Sequence, residues 1–249
     1  MSQMLLQTRG LTKRYGGLLV TDQVDLEIRP GELHAIIGPN GAGKTTLVNQ
    51  LSGELRADAG TIHFAGRDVT AQDIAQRSRS GLLRSYQITA VFEEFSVREN
   101  VVLAAHGARR HGFGFWRALL DQTDLRAVAD PVIEEVGLAM VADTLAGELG
   151  YGQRRQLELA MALAAEPRFL LLDEPMAGMS AQESATVVAL LQRLKGRYGI
   201  LLIEHDMQAV FALADRITVL VYGRVMFCGT PEEIRHHPEV KAIYLGEEE

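Results

Sequence analysis

The chain has 249 residues, enough for one large or two modest domains with a hydrophobic core, and 47% of them are hydrophobic, which excludes a disordered tail. Its formal net charge of −7 excludes a broad basic surface, and with it a nucleic-acid scaffold or a polybasic membrane anchor as the main role. A single cysteine, Cys228, allows no internal disulfide, which suits a reducing compartment.

Read in chain order, MSQMLLQTRG has no basic segment followed by a long apolar run and a small-residue cleavage site, so a cytoplasmic location is expected. From Val24 to Arg29 the letters VDLEIR alternate apolar and charged, the pattern of a half-buried strand, and Pro30-Gly31 supplies the turn that closes it. The run LHAII, Leu33 to Ile37, is continuously apolar and breaks into Gly38, which predicts a strand buried on both faces. Residues 87–161 are glycine-interrupted, rich in helix formers and poor in strand patterns. They read as a helical insertion between residues 1–86 and 162–249, with His106 to Phe115 as the candidate for a long flexible connection.

Buried-strand patterns return at Phe169 to Leu172 (FLLL) and Ile200 to Ile203 (ILLI), both far short of the roughly 20 apolar residues that span a bilayer. Between them, Ala181 to Arg197 places Val187, Val188, Leu191 and Leu194 at helical spacing. Ile217 to Val221 and Val225 to Cys228 flank Tyr222-Gly223-Arg224 as a hairpin, with Cys228 a small residue packed on a strand. Three buried strands separated by helical stretches predict a mainly parallel sheet with crossover helices.

Gly38-Pro39-Asn40-Gly41-Ala42-Gly43-Lys44-Thr45 matches G-x-x-x-x-G-K-[ST] in full and lies between a buried strand and a helical segment, as a phosphate cradle requires. The glycines permit a wrapped backbone that turns successive N–H groups toward phosphate, and the following helix adds its positive end. Lys44 is placed to neutralise β and γ oxygens, Thr45 to offer a hydroxyl to Mg²⁺, and Thr46 completes the nucleotide-binding run. A second, metal-directed carboxylate must come from a neighbouring strand. Asp173, at the end of FLLL, is the candidate to hold Mg²⁺ through water, and Glu174 the candidate to polarise an attacking water. Without the P-loop this pair would read as solvated carboxylates at a strand end.

With these motifs in this order, the sequence resembles the nucleotide-binding subunits of ABC transporters along essentially its whole length. The resemblance implies a P-loop NTPase core of α/β class with an antiparallel β subdomain and an inserted α-helical subdomain, binding ATP and Mg²⁺. It puts Tyr15 where the family stacks an aromatic on adenine, and Gln87, in RSYQ, where a glutamine senses Mg²⁺ and the membrane partner. Leu149 to Gln153 (LGYGQ) takes the signature position, contributing Gly150, Gly152 and Gln153 to nucleotide across a dimer seam. Ala177 to Ser180 follows as the D-loop, and His205 as the switch histidine.

In that family two ATP-binding subunits, identical or not, face each other head to tail, and permease subunits carry the substrate. The expected place of the chain is therefore the cytoplasmic face of the membrane, held through the permease, with a periplasmic binding protein as an indirect partner and no nucleic acid. Tyr86 and Val91 to Asn100 are the candidate docking groove for the permease, or else a part of the helical subdomain's packing. The finer resemblance, carried by YGQRRQLELA, DEPMAGM, IEHDM and the ending AIYLGE, is to ATPases of branched-chain amino-acid importers. ATPases of urea importers and of lipopolysaccharide export look similar at the C-terminus, and a module that senses nucleotide without hydrolysing it is the reading from another class.

Two positions depart from the family pattern: Gly150 replaces the signature serine, and Ser180 replaces the aspartate that ends the D-loop. Neither change touches Lys44, Asp173 or Glu174, so hydrolysis is expected to be retained but altered.

Overall fold

A long antiparallel hairpin, β1 (Leu6–Tyr15) with β2 (Leu18–Ile28), carries the VDLEIR alternation into the computed structural model, which describes residues 4–85, 91–108 and 123–244. Val24, Leu26 and Ile28 are buried while Asp25 is exposed, as a two-residue period demands. Gly10 (φ 57) sits where the β1 register shifts, and its N–H donates to Asp25 Oδ1 at 2.7 Å.

The strands β4 (Ala59–Phe64) and β5 (Arg67–Asp68) extend this into a four-stranded sheet of order β2-β1-β4-β5. A second sheet of six strands is built from β3 (Leu33–Ile37), β6 (Leu82–Ser85), β7 (Phe169–Asp173), β8 (Gly199–Ile203), β9 (Arg216–Val221) and β10 (Arg224–Gly229), in the order β10-β9-β3-β8-β7-β6. All its neighbours pair parallel except β10 on β9. Tyr222 and Gly223 both take positive φ, 47 and 77, in the turn between those two, which is how a two-residue loop matches the twist of its strands.

The three apolar runs are continuous because each feeds two cores. Leu33, Ala35 and Ile37 face one hydrophobic cluster and Ile36 the other, and the same alternation divides Leu170 and Leu172 from Phe169 and Leu171. The first cluster is closed by helices α3 (Val97–Ala108), α4 (Thr123–Glu135), α5 (Tyr151–Ala164), α6 (Ala181–Leu194) and α7 (Met207–Leu213). The second is closed by α1 (Lys44–Ser52) and the four-stranded sheet. The fold is thus an α/β core with an antiparallel β layer on one side and helices on the other.

Arg77, in α2 (Ile74–Arg79), is 2% exposed and caps the far end of α1, donating to the carbonyls of Gln50 (2.6 Å), Leu51 (2.7 Å), Thr70 (3.1 Å) and Gln72 (3.1 Å). Burial lowers its guanidinium to about 10. Short helices Pro231–His236 and Pro238–Tyr244 follow β10.

Two expectations are corrected. The helix from Ala181 stops at Leu194, because Lys195 leaves helical geometry at ψ 139. Of the segment expected as a flexible connection, His106 and Gly107 belong to α3, and 109–115 lie outside the described residues.

Candidate nucleotide site

The P-loop joins β3 to α1, and its glycines are there for close approach. A Cβ on Gly38 would run into the Leu220 carbonyl, and one on Gly43 (φ 100) into the carbonyl of Val20. Neighbouring strands therefore press on the loop from both sides. Gly41 takes φ 78, Ala42 is buried, Pro39 half-buried and Asn40 exposed, and the loop closes on itself through Ala42 N–H to the Pro39 carbonyl at 3.1 Å. Lys44 is 8% exposed, and its Nζ donates to the carbonyls of Gly38 at 2.6 Å and Pro39 at 3.1 Å. Burial draws the ammonium below its usual range, against the pull of the Glu174 and Asp173 carboxylates. Thr45 is exposed beside it and Thr46 half-buried.

Parallel pairing of β7 with β8 sets Asp173 opposite Ile203, so the residues that follow each strand meet. The Glu174 N–H donates to the Ile203 carbonyl at 2.9 Å, and Glu174 Oε1 lies 2.7 Å from His205 Nε2. Glu174 holds φ at 50, a left-handed conformation that costs a non-glycine residue strain and recurs at functional sites. Asp173 is 7% exposed, and its Oδ2 accepts from Arg84 Nη2 at 2.9 Å. Burial pushes its carboxyl up, and Arg84 offsets part of that rise. The hydroxyl of Thr45 and the carboxylate of Asp173 are oxygen donors of the kind Mg²⁺ takes, few in number beside phosphate and water.

Tyr15 ends β1 at the tip of the hairpin, 52% exposed, on the same hairpin that supplies the Val20 carbonyl to Gly43. Lys13 Nζ lies over the Tyr15 ring, 5.8 Å from its centroid. Gly150 is the N-cap of α5 with φ −64 and ψ 163, ordinary extended backbone. Gln153 turns back so that its Oε1 accepts from the Gly150 N–H at 3.2 Å, and the Gly152 N–H donates to Glu183 Oε1 at 3.2 Å. Tyr151 donates to the Ala177 carbonyl at 3.0 Å. These signature bonds run within the segment and to residues 177–183, not to the P-loop of the same chain. Ser180 caps α6, sharing Glu183 with Gly152. Gln87 and Tyr86 lie outside the described residues.

Two residues that sequence reasoning passed over are drawn into the site. Glu204, 5% exposed, accepts from Met176 N–H at 2.9 Å and His205 N–H at 3.1 Å, so it ties the segment after Glu174 to the histidine. Burial raises its carboxyl above the usual range. Arg84 bridges Asp173 to Asn49 and Glu54. The available signal was a charged residue within an apolar strand for Arg84, and directly after one for Glu204.

Comparison with known proteins agrees with this geometry. Residues 21–177 match the model of the ABC transporter family, and residues 224–249 match that of the branched-chain amino acid ATP-binding cassette transporter. The chain is 40% identical over 257 residues to the high-affinity branched-chain amino acid transport ATP-binding protein LivG of Salmonella typhimurium, covering 99% of this chain and 100% of that one. It is 37% identical over 254 residues to BraF of Pseudomonas aeruginosa, a protein of the same description, with 99% and 100% covered. Among solved structures, the ADP conformation of MJ1267, an ATP-binding cassette of an ABC transporter, superposes with a TM-score of 0.85 at 28% identity, covering 98% of this chain and 100% of that chain.

Proposed function

The chain belongs to the ABC transporter ATP-binding family, and on that premise we propose that it is the ATP-hydrolysing motor of an importer for branched-chain or related amino acids. The observation that carries the reading is the meeting of three groups at the ends of the parallel strands. These are the buried Lys44 in its cradle, the Asp173-Glu174 pair, and His205 against Glu174 at 2.7 Å.

In this account the phosphates take over the Lys44 contacts that the Gly38 and Pro39 carbonyls now receive, with backbone N–H groups of the loop from Asn40 to Thr46 around them. Tyr15 stacks on the base. Thr45 and Asp173 would hold Mg²⁺, which would supply positive charge to neutralise the phosphate oxygens. Glu174 accepts a proton from the attacking water, and His205 fixes the Glu174 carboxylate through Oε1. Gly150, Gly152 and Gln153 act on the nucleotide of a second ATP-binding subunit, so a lone chain holds half of each site. The helical subdomain proposed over residues 87–161 carries this signature, and Gln87 links the site to the permease.

The permease surface proposed here includes Phe92, 49% exposed, which buried Asn100 presents by bonding both its N–H (2.8 Å) and its carbonyl (3.0 Å). Among the described residues no helix is long and apolar enough to cross a membrane, so attachment falls to the permease. The test is reconstitution with permease and binding protein. Gln87→Ala should reduce amino-acid-stimulated hydrolysis and transport more than basal hydrolysis. Equal loss of both would make Gln87 purely catalytic, and no stimulation by branched-chain amino acids in the unaltered complex would remove the substrate.

A further inference from the structure

Arg84 is the third residue of edge strand β6, three positions before Gln87, and its side chain is 8% exposed. The guanidinium spreads its two terminal nitrogens over different elements. Nη2 donates to Asp173 Oδ2 at 2.9 Å, at the end of β7, and Nη1 donates to Asn49 Oδ1 at 2.7 Å, inside α1, and to Glu54 Oε2 at 2.9 Å, just past it. Helix α1 begins with Lys44 and Thr45, so one side chain spans the phosphate-binding helix, the metal-directed carboxylate and the edge strand β6. Lys44 meanwhile directs its nitrogen to loop carbonyls, and among the described residues the cation bonded to Asp173 is Arg84. A planar fork with fixed donor directions suits bridging between separate elements, where a lysine offers all its donors from a single nitrogen.

We propose that Arg84 is a positioning residue: it orients the Asp173 carboxylate relative to α1 and β6 for the incoming divalent ion. The inference rests on the reading of Asp173 as metal-directed given above. A side chain that orients a metal-bound carboxylate typically changes metal affinity by about 10–100-fold when removed. One that merely holds the fold weakens nucleotide binding with or without metal.

The experiment uses the full chain, ADP, and Mn²⁺ as the probe, with free Mn²⁺ followed by electron paramagnetic resonance. Arg84→Met should weaken Mn²⁺ binding to the ADP complex by about tenfold or more, while ADP affinity in EDTA stays at the unaltered value. Arg84→Lys should fall between the two, and carries the test if the methionine variant does not fold. Mn²⁺ affinity that is unchanged or tighter in the folded variants overturns the proposal, as does an equal loss of ADP affinity in EDTA. Asp173→Asn separates the two levels. It should weaken Mn²⁺ at least as much as Arg84→Met, and if it does not, the metal reading of Asp173 itself fails.

Discussion

The Gly152 N–H donates to Glu183 Oε1 at 3.2 Å, so a carboxylate from the start of α6 stands at the N-terminus of α5. The same carboxylate takes the Ser180 N–H at 2.9 Å, and these bonds, that of Ser180 first, hold it below the usual carboxylate range. In the proposed dimer a phosphate of the partner's nucleotide approaches this helix end, and Glu183 opposes it with like charge. Glu183→Gln keeps an amide oxygen to accept while removing the charge. In a Glu174→Gln background with ATP it should tighten dimerisation by on the order of a few-fold, with the difference shrinking at high salt. Equal or weaker dimerisation in sedimentation would show that the carboxylate serves α6 alone.

Gly150 lacks the hydroxyl of the family pattern, and nothing in its surroundings requires that. Its backbone is in the ordinary extended region of an N-cap, and a Cβ there would meet only Gln153 Oε1 at 3.8 Å. Gly150→Ser should therefore raise monomer stability slightly, by a few tenths of a kcal/mol as a better N-cap. It should also tighten the ATP-bound dimer by about tenfold, since a bond to a charged group is worth about 1.5–3 kcal/mol and about 1.4 kcal/mol is tenfold. Weaker ATP-driven dimerisation by an intact fold would mean that this signature reads phosphate through main-chain groups only.

Arg77 offers a test of the fold beneath the cradle. Arg77→Met would strip the carbonyls of Gln50, Leu51, Thr70 and Gln72 of their buried donor. The expected loss is about 3 kcal/mol or more in urea unfolding, because buried unsatisfied groups cost about 1–3 kcal/mol each and part of the site can relax. A loss below about 1 kcal/mol would mean that water replaces the guanidinium.

Tyr15 is half exposed, so Tyr15→Ala should leave stability nearly unchanged while lowering ATP affinity by about fivefold, the equivalent of about 1 kcal/mol of stacking. Unchanged affinity by calorimetry would take the base away from this hairpin tip.

Much of this was legible because it is local. LHAII, FLLL and ILLI announce strands since both faces of each are buried, and the P-loop is one contiguous motif in which Gly38 and Gly43 answer a nearby backbone and Gly41 a positive φ. β1 was hidden because its register shifts around Gly10 break the two-residue period. Arg84 and Asp173 are 89 positions apart, and Gly152 and Glu183 are 31 apart, so only the parallel sheet and the helix ends that it sets bring them together. The positive φ of Glu174 has no sequence signature of its own.

The most direct test of the motor reading is single-turnover ATP hydrolysis by the unaltered chain and by Glu174→Gln, with ATP binding and sedimentation measured on the same preparations. The account predicts that Glu174→Gln binds ATP with unaltered affinity, hydrolyses it at least about a hundredfold more slowly, as loss of a general base requires, and accumulates as a dimer with ATP. Near-normal hydrolysis by a clean preparation of Glu174→Gln would contradict it.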